Sequence, residues 1–267
     1  MKKHHLLPVI AALGLLSVLL SVPVRQADAQ GTPAGPPPTV FQAAGTTVSS
    51  ILCSVDHFRA ALGQPNNANT PGPLTSGRRE INWDGGGATD TAPAPTPFTG
   101  FLQGRGALFT TPGTGFVQAP LSGLATTFSN PTYATIFQPF SPLRLFTPVG
   151  SNLTDVDFFV PGAGNVAAAT TGFGVVFSDV DKPDGSDPGA QTLIQYYGAD
   201  DQLLFSSFVP ASPSDASLSF FGVVYPEPLI ARVRITSGYA APGPNDDGQQ
   251  DIVVMDDFLY GEPQPLQ

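Results

Sequence analysis

An all-β fold, an antiparallel β-sandwich that is jelly-roll-like and carries one short N-terminal helix, is what this sequence predicts, on three observations. Beyond Phe98 the chain breaks into short runs of alternating apolar and polar residues bounded by Pro, Gly or Asp, the spacing of strands joined by turns. No helical segments are interleaved among these runs, which argues against a parallel α/β sheet. Of the 20 acidic residues beyond position 29, 17 are Asp and three are Glu (Glu80, Glu227 and Glu262). Asp favours turns and caps where Glu favours helix interiors, so the chain reads as loop-rich and helix-poor.

The elements follow in order. Residues 1–29 have a basic start (Lys2, Lys3), an apolar stretch from Leu6 to Val24 interrupted by Pro8, Gly14 and Pro23, and then Ala27-Asp28-Ala29. That is the layout of a secretory signal peptide, cut near Gln30. The expected location is secreted or extracellular, periplasmic if the host has an outer membrane. No later stretch approaches the roughly 20 apolar residues of a spanning helix, so no membrane anchor is expected after cleavage. Residues 30–45, with "GTPAGPPP" at 31–38, read as a disordered Pro/Gly-rich leader. Residues 46–97 read as loops around a short helix, with Ser54 as N-cap, Phe58 and Leu62 on one face and Gly63 past the end.

Residues 98–262 form the predicted sandwich and 263–267 a tail. Val156, Phe158 and Val160 alternate with Asp155, Asp157 and Phe159 until Pro161 ends the strand. Phe173, Val175 and Phe177 line the next face. "TLIQYY", the turn "GADDQ" and "LLFSSFVP" make a hairpin. "LSFFGVVY" follows, and then "LIARVRITSG", with Val233 and Ile235 inward and Arg232 and Arg234 outward. "IVVMDDFLY", residues 252–260, is the last strand.

In order, "FRAALG", "RREINWDG", "FTTPGTGF", "FSPLRLFTPVGSNLTDVDFFVPG", "GFGVVFSDVD", "ARVRITSG" and "DIVVMDDFLYGEP" resemble a family of secreted bacterial proteins of uncharacterised function. The second half is more loosely similar to jelly-roll domains of carbohydrate-binding modules and of bacterial ectodomains. That likeness implies a structural calcium joining the first strand to the last, for which Asp84 and Asp256 or Asp257 are the matching positions.

The residues themselves make a related demand. Asp256 shares parity with Ile252, Val254 and Phe258, so it is expected to be buried. A buried carboxylate without a cation or several amide donors costs several kcal/mol. A second acidic run, "DVDKPDGSDPG", offers Asp179, Asp181, Asp184 and Asp187 as oxygen ligands for a hard cation. Pro183 and a missing closing Glu break the EF-hand register, so a solvated Asp-rich turn is the competing reading. Trp83, the single tryptophan, alternates with Arg79 and Ile81 as a core plug would. Its alternative role is a sugar-stacking platform, a ligand-binding residue.

Composition removes several function classes. Residues 1–29 account for three of the 11 basic and one of the 21 acidic side chains, leaving a net charge of −12, which suits neither nucleic acid nor an anionic membrane. The single cysteine, Cys53, allows no internal disulfide. The single histidine beyond position 29, His57, would have to serve any Ser-His-Asp or Cys-His site, and no G-x-S-x-G elbow accompanies it. One His and one Cys cannot build a usual zinc site. Glu80 and Asp84, four residues apart on a strand, would lie roughly 13 Å from each other, too far for a glycosidase pair. The expected function is therefore a non-enzymatic exported binding or structural module. A carbohydrate-binding module with an extracellular glycan partner and a hydrolase with an unrecognised site are the alternatives, and the sequence is silent on oligomeric state.

Overall fold

The structure is a computed structural model that describes residues 37–85, 91–182, 192–244 and 250–266. The predicted signal peptide, most of the "GTPAGPPP" stretch, Asp184 and Asp187 lie outside the described residues.

The chain runs β1 (Thr39–Gly45), α1 (Val48–Leu62), β2 (Arg78–Ile81), β3 (Ala92–Ala94), α2 (Leu102–Arg105), β4 (Ala107–Thr110), β5 (Gly115–Ala119), α3 (Leu121–Thr127) and α4 (Tyr133–Ile136). It continues through β6 (Leu145–Val149), β7 (Leu153–Phe158), β8 (Ala168–Ala169), β9 (Gly172–Ser178), β10 (Leu193–Tyr197) and β11 (Leu203–Phe208). The last strands are β12 (Leu218–Val224), β13 (Arg232–Thr236), β14 (Val254–Gly261) and β15 (Gln264–Pro265).

Two antiparallel sheets form the sandwich. One is eight-stranded, ordered β1-β12-β9-β14-β6-β5-β3 with β2 also paired to β14; the other is five-stranded, ordered β11-β10-β13-β7-β4. Between them lies an aromatic core that includes Phe109, Phe146, Phe158, Phe173, Phe177, Tyr196, Phe221 and Phe258. No helix among the described residues is long and apolar enough to cross a membrane.

The outer face of the eight-stranded sheet carries a third layer. Helix α1 buries Ile51, Val55, Phe58 and Leu62, spaced four and three residues apart, against Val176, Leu218, Phe220 and Leu259. Phe58 needs a notch, and Gly174 and Gly222, paired across β9 and β12, provide it: a Cβ on either would come within 2.9 Å of the ring. Helices α3 and α4 cover the other half of that face through Leu124, Phe128 and Tyr133.

Two expectations for the N-terminal region need correction. Residues 39–45, placed in the leader by their Pro/Gly-rich neighbours, form β1 and pair along their whole length with β12. Helix α1 starts at Val48, not after Ser54: Thr47 caps it in extended conformation, and the Ser50 hydroxyl accepts the Thr47 N–H at 3.3 Å. The capping signal lies in "TTVSS", two turns ahead of Ser54. Gly63, with φ +102, ends the helix where it was expected to end.

Strand β14 holds the main departure in register. Met255 pairs with Phe177 and Phe258 with Val175, so three steps on β14 match two on β9 and a bulge sits at Asp256–Asp257. The bulge swaps faces: Val253 and Met255 enter the central core before it, Phe258 and Tyr260 after it, while Val254 packs under α3 and α4. Strict alternation of Val254, Asp256 and Phe258 on one face is therefore broken at the two aspartates.

Candidate functional site

The first carboxylate cluster gathers around Ser141, on the segment that leads into β6. Asp256 is fully buried; its Oδ2 accepts the N–H groups of Phe140 (2.5 Å) and Ser141 (3.2 Å), and its Oδ1 accepts the Ser141 hydroxyl at 3.2 Å. Asp257 Oδ1 lies 2.6 Å from the same hydroxyl, and its Oδ2 receives Arg59 Nη2 at 3.4 Å. Asp84 Oδ1 takes the N–H groups of Leu143 (3.0 Å) and Arg144 (3.1 Å). Backbone amides, and for Asp257 the Ser141 hydroxyl and Arg59, thus supply the donors that burial of these carboxylates requires.

Electrostatics at this cluster follow from burial. Asp256 is pushed well above the usual carboxylate range, first by desolvation and then by the charge of Asp257, against the opposing Phe140 amide. Asp257 is also raised by burial, with Ser141, the hydrogen bond to Asp256 and Arg59 pulling the other way. Because Asp256 binds its proton more tightly folded than unfolded, its contribution to stability is full in acid and is lost as pH rises from the ordinary carboxylate range through the raised value. Asp256→Asn, which mimics the protonated acid, is expected to make stability fall less steeply with pH than in the parent chain. Denaturant midpoints measured across a pH series check this, and parallel curves for the two proteins would refute it.

The other predicted candidates are placed as follows. Trp83 is 1% exposed, stacked on Phe146 at 3.7 Å and edge-on to Phe101, Phe109 and Phe258; its Nε1 donates to the Asp256 carbonyl at 2.9 Å. No face of the indole is open to a pyranose, so the sugar platform does not exist at this position. Glu80 and Asp84 go to different partners: Glu80 receives Arg59 (3.1 Å) and Arg78 (2.6 Å), while Asp84 binds the amides before β6. His57 and Cys53 lie one turn apart on the exposed side of α1, with the thiol sulfur 3.9 Å from Nε2.

A buried ion pair that sequence reasoning did not single out spans the domain. Arg79 on β2, fully buried, makes a two-pronged contact with Glu262: Nε to Oε2 and Nη2 to Oε1, both 2.7 Å. Its Nη1 donates to the carbonyls of Ala68 and Gly104, and Glu262 also receives Asn67 Nδ2 and the Leu74 N–H. The signal was present in the alternation of Arg79 with Ile81 and Trp83, which puts the arginine on the buried side.

The second carboxylate cluster sits at one rim of the eight-stranded sheet. Asp179 immediately follows β9, Asp181 lies two residues on, and Asp215 comes from the loop before β12; one carboxylate oxygen from each lies within 4.8 Å of the others. Asp251, just before β14, stands beside them and takes the Asp181 N–H on Oδ1 at 3.3 Å. Asp215 and Asp251 were not grouped with Asp179 and Asp181 from sequence, because only the pairing of β9 with β12 and β14 brings them together. Burial, then the charges of Asp181, Asp215 and Asp251, push Asp179 up to about 8; burial foremost raises Asp251 to about 6.

Among the described residues, no helix layer covers the outer face of the five-stranded sheet. On it, Asp155 holds Arg234 through Nε (2.9 Å) and Nη2 (2.8 Å) and also receives Arg232, which bonds Asp201 and lies 3.9 Å above the Tyr197 ring. Asp157 is raised by burial and by Asp155. At one end of this face a cavity of about 210 Å³ is lined by Asp157, Phe159, Asp201, Arg232 and Leu266 among others. Compared with protein-family models, curated proteins and solved structures, the chain matches none.

Proposed function

We propose that the chain is an exported, non-enzymatic β-sandwich module that binds or organises material at the cell exterior through the outer face of its five-stranded sheet. The observation that carries this reading is the asymmetry of the two sheets. The eight-stranded sheet has its outer face sealed by α1, α3 and α4, whereas the five-stranded sheet presents half-buried Asp155, Asp157, Gln195, Tyr197, Arg232 and Arg234 to solvent. The carboxylates around Ser141, by contrast, are engaged with backbone amides, the Ser141 hydroxyl and Arg59.

Carbohydrate binding is the second reading, and the same face supports it. The cavity beside Arg232 combines carboxylates, a guanidinium and an apolar floor, the groups that meet hydroxyls and ring faces of a sugar. Glycan arrays and insoluble-polysaccharide pull-downs test both readings together with a Tyr197→Ala variant. Retention on a glycan that Tyr197→Ala abolishes selects the carbohydrate reading. Turnover of any substrate in a panel of glycosides and esters would overturn the non-enzymatic assignment.

A further inference from the structure

We propose that Asp179, Asp181 and Asp215, with Asp251 beside them, form a calcium site that ties together the rims of β9, β12 and β14. The geometry fits one ion. Calcium–oxygen bonds of about 2.4 Å allow two ligands on opposite sides of the ion to stand about 4.8 Å apart, and one oxygen from each of the three carboxylates lies within that distance of the other two. The donor set is oxygen alone, which selects a hard cation over zinc or copper.

A separate observation points to a ligand rather than to a solvated acidic turn. Asp179 is 5% exposed and Asp251 3% exposed, yet among the described residues Asp179 Oδ1 and Asp251 Oδ2 have no hydrogen-bond partner. In the Ser141 cluster both oxygens of the buried Asp256 collect amide or hydroxyl donors; here Asp179 and Asp251 accept backbone amides too, but one oxygen of each is left open beside further negative charge. Among the described residues, Lys182 is the cation that acts on Asp251. A divalent ion would satisfy the open oxygens and offset the charge in one step.

The backbone is arranged for it. Asp179 holds φ +73, a left-handed conformation that Asp and Asn adopt more readily than other non-glycine residues, and its N–H is fixed by the Ser217 carbonyl at 3.0 Å. The turn that carries Asp181 is therefore pinned to the loop that carries Asp215. Calcium bound here would hold the start of β14, and with it the strand that bears the Asp256–Asp257 bulge.

The full chain, stripped with EGTA, is titrated with calcium chloride by calorimetry and melted with and without the ion. Binding is expected in or below the range of about 0.1–1 mM typical of extracellular calcium modules, with a rise in melting temperature. Asp179→Asn, which keeps the shape and the left-handed backbone, is expected to abolish both signals. Asp215→Asn, at an exposed position that folding does not need, is expected to weaken binding by about tenfold or more. Asp200→Asn, on the β10–β11 turn, should leave binding intact. Absence of heat and of a melting shift at several millimolar calcium overturns the site, as does calcium affinity unchanged in Asp179→Asn or Asp215→Asn. Magnesium binding of equal or greater strength overturns the assignment to calcium.

Discussion

Glu262→Gln is expected to cost the fold about 3–5 kcal/mol, a large share of the roughly 5–15 kcal/mol that holds a typical domain together. The replacement keeps the shape, removes the charge and turns one accepting oxygen into an N–H donor, leaving the Arg79 guanidinium at 0% exposure with uncharged carbonyl partners alone. An uncompensated buried cation is the expensive outcome. Both Asn67 and Leu74 also lose a charged acceptor. The double variant Arg79→Met/Glu262→Met should recover part of the loss, because apolar groups of similar volume avoid the desolvation cost. Recovery stays incomplete, since the carbonyls of Ala68 and Gly104 are left without their donor. Denaturant midpoints at constant slope give the comparison. A single-variant loss below about 1 kcal/mol would mean that the guanidinium finds water, and the pair would then be a minor contact.

The same ion pair answers how a chain with one cysteine fastens its N-terminal segment to its last strand. Arg79 lies on β2, Asn67 and Leu74 on the loop before it, and Glu262 just past β14, so one carboxylate gathers three N-terminal positions to the C-terminal strand. Beside it, Asp84 clamps the segment before β6 through two amides, and Asp256 does so from β14 through two more. Of the two ways to join first and last strands, a calcium at Asp84 and Asp256 or Asp257, as the likeness to jelly-roll modules implies, or amide donors, these hydrogen bonds supply the second.

Legibility in the sequence followed the range of the signal. Strands β7 and β9 to β14 were readable because each carries its own period-two pattern and ends in Pro, Gly or Asp, information held within about ten residues. Strand β1 was missed because its Pro/Gly-rich predecessor dominated the composition, although Thr39–Gly45 lacks both breakers until its last residue. The bulge at Asp256–Asp257 left no mark except two aspartates in the middle of an apolar strand. The rim cluster was half readable: Asp179 and Asp181 are neighbours in sequence, but Asp215 and Asp251 reach them only through sheet order. Burial of Asp256 was anticipated from parity, and its partners on the Phe140–Arg144 segment were not, because no local pattern encodes which loop crosses a strand.

Trp83→Ala is the second replacement expected to be severe, at about 3–5 kcal/mol, the usual cost of emptying a large aromatic site in a core. The indole fills the junction of Phe101, Phe109, Phe146 and Phe258, and contraction around the vacancy is opposed by strands from both sheets. Trp83→Phe should lose less, since a ring still meets Phe146, but it forfeits the bond to the Asp256 carbonyl, worth about 1 kcal/mol. That bond matters for the bulge: with Nε1 gone, the carbonyl between the two aspartates is buried without its indole donor. As the single tryptophan, Trp83 also reports on its own surroundings. Native fluorescence should be blue-shifted, resistant to acrylamide quenching and indifferent to added glycans, and it should shift to the red in one step with global unfolding. Glycan-dependent quenching, or Trp83→Ala with full stability and lost glycan retention, would return the indole to the surface as a binding platform.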